Sequence, residues 1–298
     1  MDILVCVKRV PMVGGRVVVT PDGQDVDTRM SGFTVSPHEE CAVEEAVRIT
    51  ERLGGTVTVL TLGPAAAADQ LRDMLALGAG HGVLLETDGR EWGPIATAAA
   101  IAGAVRRRAA GPEGAYDLLL FGNEAADTGD YQVPVRVAHA LGLPCVTGIK
   151  NLEITGPAGA TSAGPAGGAG AGAGWGAGAG GAGGGAAGAG GGGGAGGAGG
   201  ARASREYRGS EEVFDLTLPA VISVREGINL PRYPSLPGRL RAKRAVIERF
   251  EPEYRAEGLR KELLRVPAGQ TKRAEILGTG ADAVPALVRL FEELGVLS

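Results

Sequence analysis

The chain has 298 residues and a formal net charge of -4, with 44% hydrophobic but only 4% aromatic residues. Such a charge gives no general attraction to nucleic acid or to an anionic membrane. No stretch reaches the roughly 18 consecutive apolar residues of a membrane helix, and the N-terminal MDILVCVKRV is typical of a strand rather than a signal peptide. We therefore expect a cytoplasmic protein with no nucleic-acid partner, no membrane insertion and an aliphatic core.

Residues that commonly bind metals are scattered along the sequence. The three cysteines form no CxxC pair and the three histidines are far apart; they are Cys6, Cys41, Cys145, His38, His81 and His139. Structural zinc and iron–sulfur sites need closely spaced ligands. We predict no metal site, and the cysteines are interpreted as small buried apolar residues.

Strand and helix patterns alternate over the first 142 residues. Apolar runs predict strands over 3–10, 56–62, 83–86 and 116–122, and helical spacing predicts helices over 37–53, 65–77, 95–108 and 133–141. The first helix opens with a capping box, Ser36-Pro37-His38-Glu39. This alternation predicts an α/β fold, a doubly wound, flavodoxin- or Rossmann-like parallel sheet with ligands at the carboxyl ends of its strands.

The second half of the chain is divided by composition. Residues 156–201 are almost only Gly and Ala, and cannot bury enough side chain to offset the roughly 1–2 kcal/mol of backbone entropy lost per ordered residue. We predict a disordered insertion there, extending a hairpin turn, in which Trp175 is incidental. Strands are expected over 205–218 and 220–224, followed by a loop over 225–244. Residues 245–298 are expected to form a strand, a polar connector and a closing helix at about 281–294.

These patterns define three predicted regions. Residues 1–155 and 202–235 form the nucleotide-binding domain, residues 156–201 the flexible insertion, and residues 236–298 a C-terminal arm.

Several common site motifs are absent from the sequence. There is no G-x-G-x-x-G after the first strand, no G-x-x-x-x-G-K-[ST] and no GxSxG. The loop after the fourth strand, residues 122–134 (GNEAADTGDYQVP), lies where ligands bind in this architecture. Its small residues allow the backbone to approach a ligand closely, and the free N–H groups at the start of the next helix can hold a phosphate. An ordinary polar loop capped by Asp130 is the alternative.

A second segment, residues 218–239 (LPAVISVREGINLPRYPSLPGR), contains three closely spaced prolines. They argue against regular structure and predict a stiff loop that presents Ile228 and Leu230 to a partner. A proline-rich crossing between domains is an equal alternative.

Together these segments resemble electron transfer flavoprotein beta subunits. The resemblance rests on L-P-A-V-I-S-V followed by N-x-P-R-Y-P-S-L-P-G and A-K-R, with V-K-R-V, A-V-E-E-A-V-R, L-G-P and G-N-E-A-A-D earlier in the same order. It covers nearly the whole chain outside the Gly/Ala tract. It implies an electron carrier without bond chemistry of its own, which pairs with an alpha subunit that carries most contacts to FAD.

The resemblance also implies where ligands bind. AMP, a structural cofactor, would contact Cys6, Ser36, Pro37, His38, Glu39, Leu62, Asn123, Glu124, Ala125, Ala126, Asp127, Thr128, Gly129, Asp130, Tyr131, Gln132 and Val133. Cys6, Ser36, Glu39 and Leu62 differ from the residues of some relatives, so backbone contacts are expected there. His38 would lie near the flavin of the alpha subunit, although a solvated first-turn histidine is an equal alternative.

Partner contacts follow from the same resemblance. The docking loop would comprise Ile228, Asn229, Leu230, Pro231, Arg232 and Tyr233, with Ile228 at the position of the family's anchoring leucine. It would dock acyl-CoA dehydrogenase-type flavoenzymes of fatty-acid β-oxidation and pass their electrons towards the respiratory chain. Glu206, beside Arg205, would pair with the mobile flavin domain, and residues 236–298 would pack on the alpha subunit.

Two other functions remain open at this point. A second FAD could replace AMP, as in electron-bifurcating members, although Asn123, Glu124 and Pro134 depart from their usual loop pattern. A stand-alone ATP-binding stress or sensor protein would have the same alternation of strands and helices.

Overall fold

A computed structural model describes residues 1–12, 17–155, 199–256, 258, 261–266 and 276–296. The chain divides into two compact units, the larger formed by Met1–Gly14 and Thr28–Arg260 and the smaller by Gly15–Asp27 and Lys261–Ser298. The predicted disordered insertion lies outside the described residues except for residues 199–201, and Trp175 also lies outside them.

The described residues form strands and helices with the following bounds. The strands are β1 (Asp2–Cys6), β2 (Val10–Pro11), β3 (Phe33–Thr34), β4 (Thr56–Gly63), β5 (His81–Glu86), β6 (Leu118–Gly122), β7 (Cys145–Ile149), β8 (Asn151–Thr155), β9 (Gly200–Tyr207), β10 (Ser210–Thr217), β11 (Ala220–Val224) and β12 (Ile247–Phe250). The helices are α1 (Pro37–Leu53), α2 (Ala68–Leu77), α3 (Pro94–Ala109), α4 (Val133–Leu141), α5 (Leu236–Arg244) and α6 (Val284–Glu293). Short 3-10 turns, Ala65–Ala67 and Gly280–Ala283, precede α2 and α6.

The centre of the larger unit is a seven-stranded sheet with the order β12-β5-β4-β1-β6-β11-β7. All neighbouring strands in it are parallel. In the middle of the sheet, Val5 of β1 lies opposite Val59 of β4 on one side and Leu120 of β6 on the other. All three side chains are fully buried. Apolar residues in succession along a strand are typical of a parallel sheet that is covered on both faces.

Helices cover both faces of this sheet. Helix α1 brings Ile49 into one buried cluster with Ile3, and α2 adds to the same cluster. Helix α3 brings Ile101 into a second cluster with Leu4, and α4 joins that one. Because adjacent residues of β1 point to opposite faces, the two clusters form separate layers of the core. The predicted doubly wound α/β fold is confirmed.

Two helices begin and end where the sequence predicts. Helix α1 starts after Ser36, which is its N-cap and completes the predicted capping box with Glu39. Helix α4 spans the predicted residues 133–141 and ends at Gly142, which has a left-handed φ of 68°. Local capping signals therefore fix these bounds.

A second sheet has three antiparallel strands in the order β10-β9-β8. The prediction of one strand over residues 205–218 is wrong, because the chain turns at Arg208 and Gly209, whose φ angles are 52° and 77°. The segment forms β9 and β10 instead. Thr155 at the end of β8 lies opposite Gly200 at the start of β9, so the residues between them connect two paired strands.

The main sheet continues past residue 235, where the predicted C-terminal arm begins. Helix α5 starts at Leu236 with Ser235 as N-cap, and β12 pairs with β5 at the edge of the sheet. Pro237 is in the first turn of α5, where the helix needs no N–H donor. The prediction of a loop up to residue 244 is therefore wrong from residue 236 onward.

The smaller unit combines a short hairpin with the C-terminal helix. Val19 and Val26 pair in an antiparallel bridge, and the Leu264 N–H donates to the Gly23 carbonyl oxygen at 2.7 Å. Helix α6 lies within the predicted range of 281–294, and none of its residues is buried. Val284, Leu287, Val288 and Phe291 recur at helical spacing along it and are exposed.

Gly122 allows α1 to approach the end of β6. A Cβ at this position would lie 2.6 Å from the Glu39 Cγ and 2.9 Å from the Glu39 backbone nitrogen. We expect Gly122→Ala to destabilise the chain by about 1–3 kcal/mol, since backbone must move to admit the methyl group. Gly103→Ala is the matched control: it lies in α3 with nothing within 4 Å of its Cβ and should stabilise by about 0.5–1 kcal/mol. Urea denaturation of both variants measures the difference, and equal midpoints would contradict the steric argument.

Candidate functional site

The order of strands creates a crevice at the carboxyl ends of β1 and β6. From β1 the chain adds β4 and β5 on one side and then returns to the other side of β1 as β6. Ligands of open α/β sheets bind at this kind of switch point, outside the carboxyl ends of the strands.

A cavity of about 280 Å³ occupies this crevice. Its walls come from the ends of β1, β4 and β6, from the loop after β6, and from the segment that leads into α3. The lining residues are Cys6, Val7, Lys8, Glu39, Leu60, Leu62, Glu91, Trp92, Gly93, Pro94, Thr97, Ile101, Phe121, Gly122, Asn123, Glu124, Ala125, Thr128, Asp130, Tyr131, Val133 and Pro134.

The start of α1 is tied to two neighbouring segments by Ser36 and Glu39. The Glu39 carboxyl accepts the Ser36 N–H at 3.0 Å and the Lys8 N–H, at the end of β1, at 2.9 Å. The Ser36 hydroxyl donates to the Glu124 carbonyl oxygen at 3.1 Å, in the loop after β6. One buried cluster therefore joins three of the segments around the cavity.

Burial raises the pKa of the Glu39 carboxyl to about 8. The N–H groups of Ser36 and Lys8 act to lower this pKa, but burial has the larger effect. Burial also raises the pKa of the Cys6 thiol, and Glu39 adds to that effect. A thiol that stays protonated is a poor nucleophile. Cys6 therefore contributes an apolar wall rather than a reactive group.

The loop after β6 has two residues in the left-handed region, Gly129 with φ 55° and Tyr131 with φ 58°. This conformation costs a non-glycine residue about 1–2 kcal/mol. Among the described residues, the backbone N–H groups of Tyr131 and Val133 have no acceptor. Val133 is the first residue of α4, where free N–H groups and the helix dipole favour an anion.

Lys8 brings a positive charge to the cavity wall, and an ion pair holds its ammonium group in place. The Lys8 ammonium lies 2.8 Å from the Asp127 carboxylate, which belongs to the loop after β6. The ammonium has three donors, and the two Asp127 oxygens, both 2.8 Å away, can take at most two of them. Lys8 therefore keeps capacity for a ligand oxygen.

The structure places the predicted AMP-site residues in three groups. Those lining the cavity are Cys6, Glu39, Leu62, Asn123, Glu124, Ala125, Thr128, Asp130, Tyr131 and Val133. Ser36, Pro37, Ala126, Asp127, Gly129 and Gln132 are in the surrounding segments without being among the lining residues. His38 lines a neighbouring depression of about 530 Å³ with Lys150 and Arg225, and its Nδ1 accepts the Glu226 N–H at 2.8 Å.

Sequence reasoning missed the wall between β5 and α3, formed by residues 91–94 and Thr97. A signal was present, because Gly93-Pro94 is typical of a helix start and the preceding loop follows the carboxyl end of β5. The lysine of the V-K-R-V segment, Lys8, was also missed as a site residue.

The predicted docking loop is fastened to α1 by polar contacts. The Arg232 guanidinium donates to Glu44 at 2.9 Å and to Glu51 at 2.6 Å. Burial acts to raise the pKa of Glu44, but hydrogen bonds from Arg232 and Arg48 outweigh it and hold that pKa below its usual value. The Asn229 amide donates to the Cys41 carbonyl oxygen at 3.0 Å.

The apolar side chains of this loop differ in exposure. Ile228 is half-buried and packs against the core, whereas Leu230 is 83% exposed and Tyr233 is 96% exposed. Of the two side chains expected to project, Leu230 is thus exposed and Ile228 is exposed only in part. Glu206 lies exposed on β9, and the adjacent Arg205 pairs with Glu212 at 2.7 Å.

The described residues contain no cluster of three or more His, Cys, Asp or Glu side chains able to hold a metal ion. Likewise, no helix in the described part of the chain has the length and apolar character needed to span a bilayer.

The cavity suits a ligand that is rich in hydrogen-bond acceptors. The residues that line it include two with donors, Val133 at the N terminus of α4 and Lys8. Apolar walls from Leu60, Leu62 and Ile101 fit a flat ring. A mononucleotide matches this combination of donors and apolar walls.

The fold and the crevice define a doubly wound α/β protein with a cavity at its switch point, and comparison with known proteins gives the family. The electron transfer flavoprotein domain matches residues 26–169. The electron transfer flavoprotein subunit beta of Bacillus subtilis is 30% identical over 74% of this chain and 67% of the relative. That of Syntrophomonas wolfei is 31% identical over 82% and 77%.

A further relative, the acryloyl-CoA reductase electron transfer subunit gamma of Anaerotignum propionicum, is 36% identical over 50% of this chain and 56% of the relative. The chain belongs to the electron transfer flavoprotein beta-subunit family, whose role is electron transport.

The raised pKa of Glu39 predicts a pH dependence of stability. An unfolded Glu releases its proton near 4.5 and the folded one near 8, so the folded state binds more protons between these values. Stability should therefore fall as the pH rises through this window. Glu39→Gln should remove most of that fall, and at the acidic end of the window it should lower stability by about 1–3 kcal/mol, because the amide nitrogen cannot accept an N–H. Urea midpoints across the window measure both effects, with the exposed Glu251→Gln as control; parallel pH curves for wild type and Glu39→Gln would contradict the assignment.

Proposed function

We propose that this chain is the beta subunit of a heterodimeric electron transfer flavoprotein, located in the cytoplasm, that holds AMP in the cavity at the switch point. The observation that carries the proposal is the pair of backbone N–H groups that have no acceptor among the described residues, those of Tyr131 and Val133, two residues that line the cavity. The AMP is structural. These two N–H groups hold its phosphate, and the apolar walls hold its base.

An electron carrier fits the chemistry of the cavity better than a catalyst does. Cys6, the thiol in the wall, is kept protonated by burial. Glu39 already uses both carboxyl oxygens as acceptors of backbone N–H groups. Neither group is arranged as a nucleophile beside a base. The chain itself makes and breaks no bonds and supports electron transfer by positioning its partners.

The alpha subunit is the proposed partner of the C-terminal arm. Helix α6 carries an apolar stripe at positions 284, 287, 288 and 291, and none of its residues is buried. A helix with such a stripe needs a partner surface. The alpha subunit supplies it and carries most contacts to FAD, the redox cofactor.

The depression beside the cavity is the proposed contact with that FAD. His38, Lys150 and Arg225 line it, and it shares Asn123, Glu124 and Tyr131 with the cavity. Two of its side chains, Lys150 and Arg225, are cationic and suit the phosphates of a dinucleotide on the partner, whereas Glu124 and Glu226 also line it. Glu206 is exposed on β9 and has no partner among the described residues, which leaves it available for an ion pair with the flavin domain.

The size of the cavity favours AMP over a second FAD. About 280 Å³ is at the low end of small-ligand pockets, and FAD adds a flavin and a second phosphate to the AMP moiety. The nucleotide content of the assembled protein distinguishes the two. We expect one FAD and one AMP per heterodimer after co-expression with the alpha subunit, denaturation and chromatography of the released nucleotides. Two FAD would indicate the bifurcating type, and ATP on this chain alone, with no heterodimer, would refute the flavoprotein assignment.

Residues 228–233 are the proposed docking loop for acyl-CoA dehydrogenase-type flavoenzymes. Their contacts with α1 hold Leu230 and Tyr233 outward, as an exposed anchor requires. Ile228, at the family's anchor position, packs against the core and contributes by shaping the loop.

The docking proposal predicts a difference between two truncations. Leu230→Ala should raise the KM for the donor dehydrogenase about tenfold with unchanged unfolding, because Leu230 is exposed. Ile228→Ala should also weaken electron transfer from the donor and should lower stability by about 1–2 kcal/mol, since half of its side chain is buried. Nucleotide content should be intact in both. Donor kinetics and urea denaturation test this, with the exposed Val246→Ala as control; unchanged kinetics in both variants would remove the docking role from this loop.

A further inference from the structure

The turn that leads into the docking loop is held on both sides of one residue. The Glu226 N–H donates to the Nδ1 of His38, on α1, at 2.8 Å. The Glu226 carbonyl oxygen accepts a hydrogen bond from the Nζ of Lys150, between β7 and β8, at 2.8 Å. The Ile228 N–H then closes the turn on the Arg225 carbonyl oxygen at 3.3 Å. The direction in which the chain enters the docking loop therefore depends on these contacts.

Helix α1 follows the docking loop with further polar contacts. The Asn229 amide donates to the Glu45 carboxylate at 2.9 Å, and the Arg48 guanidinium donates to the Leu230 carbonyl oxygen at 3.2 Å. The hydrogen bond to His38 is the first of this series and the nearest in sequence to the end of β11. Loss of that bond would free the start of the loop from α1.

The contacts of His38 define where its ring carries a proton. Nδ1 accepts a hydrogen bond, so the proton of the neutral imidazole is on Nε2. Nε2 lies 3.5 Å from a carboxylate oxygen of Glu124, which agrees with a proton at that position. A second proton would have to occupy Nδ1. It would turn the acceptor into a donor that faces the N–H of Glu226, and the hydrogen bond between them would be lost.

We propose that His38 is a positioning residue for donor docking: its neutral imidazole holds the docking loop in place through the Glu226 N–H, and protonation of the ring releases the loop. The inference rests on the proposed docking function. Imidazole rings in proteins commonly change charge between about pH 5 and 8, so docking weakens as the pH falls through this range.

Other ionisable groups surround His38. Those that line the depression with it are Glu124, Tyr131, Lys150, Arg225 and Glu226. Glu39 and Glu40 follow it on α1. None of these groups differs between wild type and a variant at position 38, so comparison of the two at one pH separates the effect of His38 from the titration of its neighbours.

Two substitutions test the role of the Nδ1 acceptor. His38→Asn keeps an acceptor close to the position of Nδ1, and an amide does not titrate in this range. His38→Phe keeps a ring and has no acceptor. Hydrogen exchange of peptides that span residues 225–233, in the full-length chain, measures how firmly the loop is held. Comparison at the same pH also cancels the intrinsic pH dependence of exchange.

We expect the three chains to differ in a pH-dependent way. At about pH 7.5, wild type should exchange like His38→Asn, and His38→Phe about fivefold faster, the effect of losing one neutral hydrogen bond. At about pH 5, wild type should exchange like His38→Phe and about fivefold faster than His38→Asn. The affinity of the heterodimer for an acyl-CoA dehydrogenase should follow the same order. If either variant does not fold, the change in the ratio of wild type to the other variant still decides.

The outcomes separate the failure of this inference from the failure of the proposed function. Ratios of exchange that stay the same at both pH values would overturn the role of His38. So would a dehydrogenase that binds Leu230→Ala more weakly but binds wild type and His38→Phe equally at both pH values; the docking loop would then stand. Equal affinity for wild type, Leu230→Ala and His38→Phe would overturn the docking function and the inference with it.

Discussion

The carboxyl edge of the sheet depends on the two N–H bonds that the buried Glu39 carboxyl accepts. One comes from the end of β1 and the other from the N-cap of α1, so a single side chain fixes the angle between strand and helix. Gly122 permits this arrangement because it leaves room for the Glu39 side chain beside the end of β6. Ser36 extends the network to the loop after β6. A polar group in this position is tolerated only because its partners are built into the backbone.

The consequence is a cavity whose shape is set by contacts within the protein. The first half of the loop after β6 is held at two points, by Ser36 at Glu124 and by the ion pair between Lys8 and Asp127. A strained residue such as Tyr131 persists only where its surroundings determine the backbone so fully. Preorganisation of this kind lowers the entropy lost on binding. The predicted docking loop is also held by contacts within the protein, since Arg232 donates hydrogen bonds to two carboxylates of α1.

The parts of the fold that the sequence predicted carry local signals. The capping box at Ser36 and the glycine at 142 mark helix ends by their own chemistry, and the alternation of strands and helices leads directly to a ligand crevice at the carboxyl ends. The turn at Arg208 was missed because only its glycine neighbour signals it. The wall around Trp92 carries only the helix-start signal of Gly93-Pro94, and its place beside the cavity follows from where β5 ends relative to β1.

The docking loop shows a different limit of prediction. Ile228 and Leu230 are similar side chains two positions apart, and no property of either tells which one packs inward. The direction is set by the polar surface of α1, where Asn229 finds the Cys41 carbonyl oxygen and thereby turns its neighbours. Such choices depend on contacts between segments almost 190 residues apart in sequence, since the separation of Cys41 and Asn229 is 188.

The pairing of Thr155 with Gly200 has a consequence for insertions at this point of the chain. The two strands β8 and β9 hold the ends of the intervening segment side by side whatever its length. Closing a flexible loop costs only about 0.6 kcal/mol more for each doubling of its length. A change in the length of a flexible connection between two paired strands therefore costs little folding free energy. Because the ends of β8 and β9 lie side by side, the position between them is suited to the insertion of a foreign domain whose own termini are adjacent. Such a domain could serve as a reporter fused within this chain.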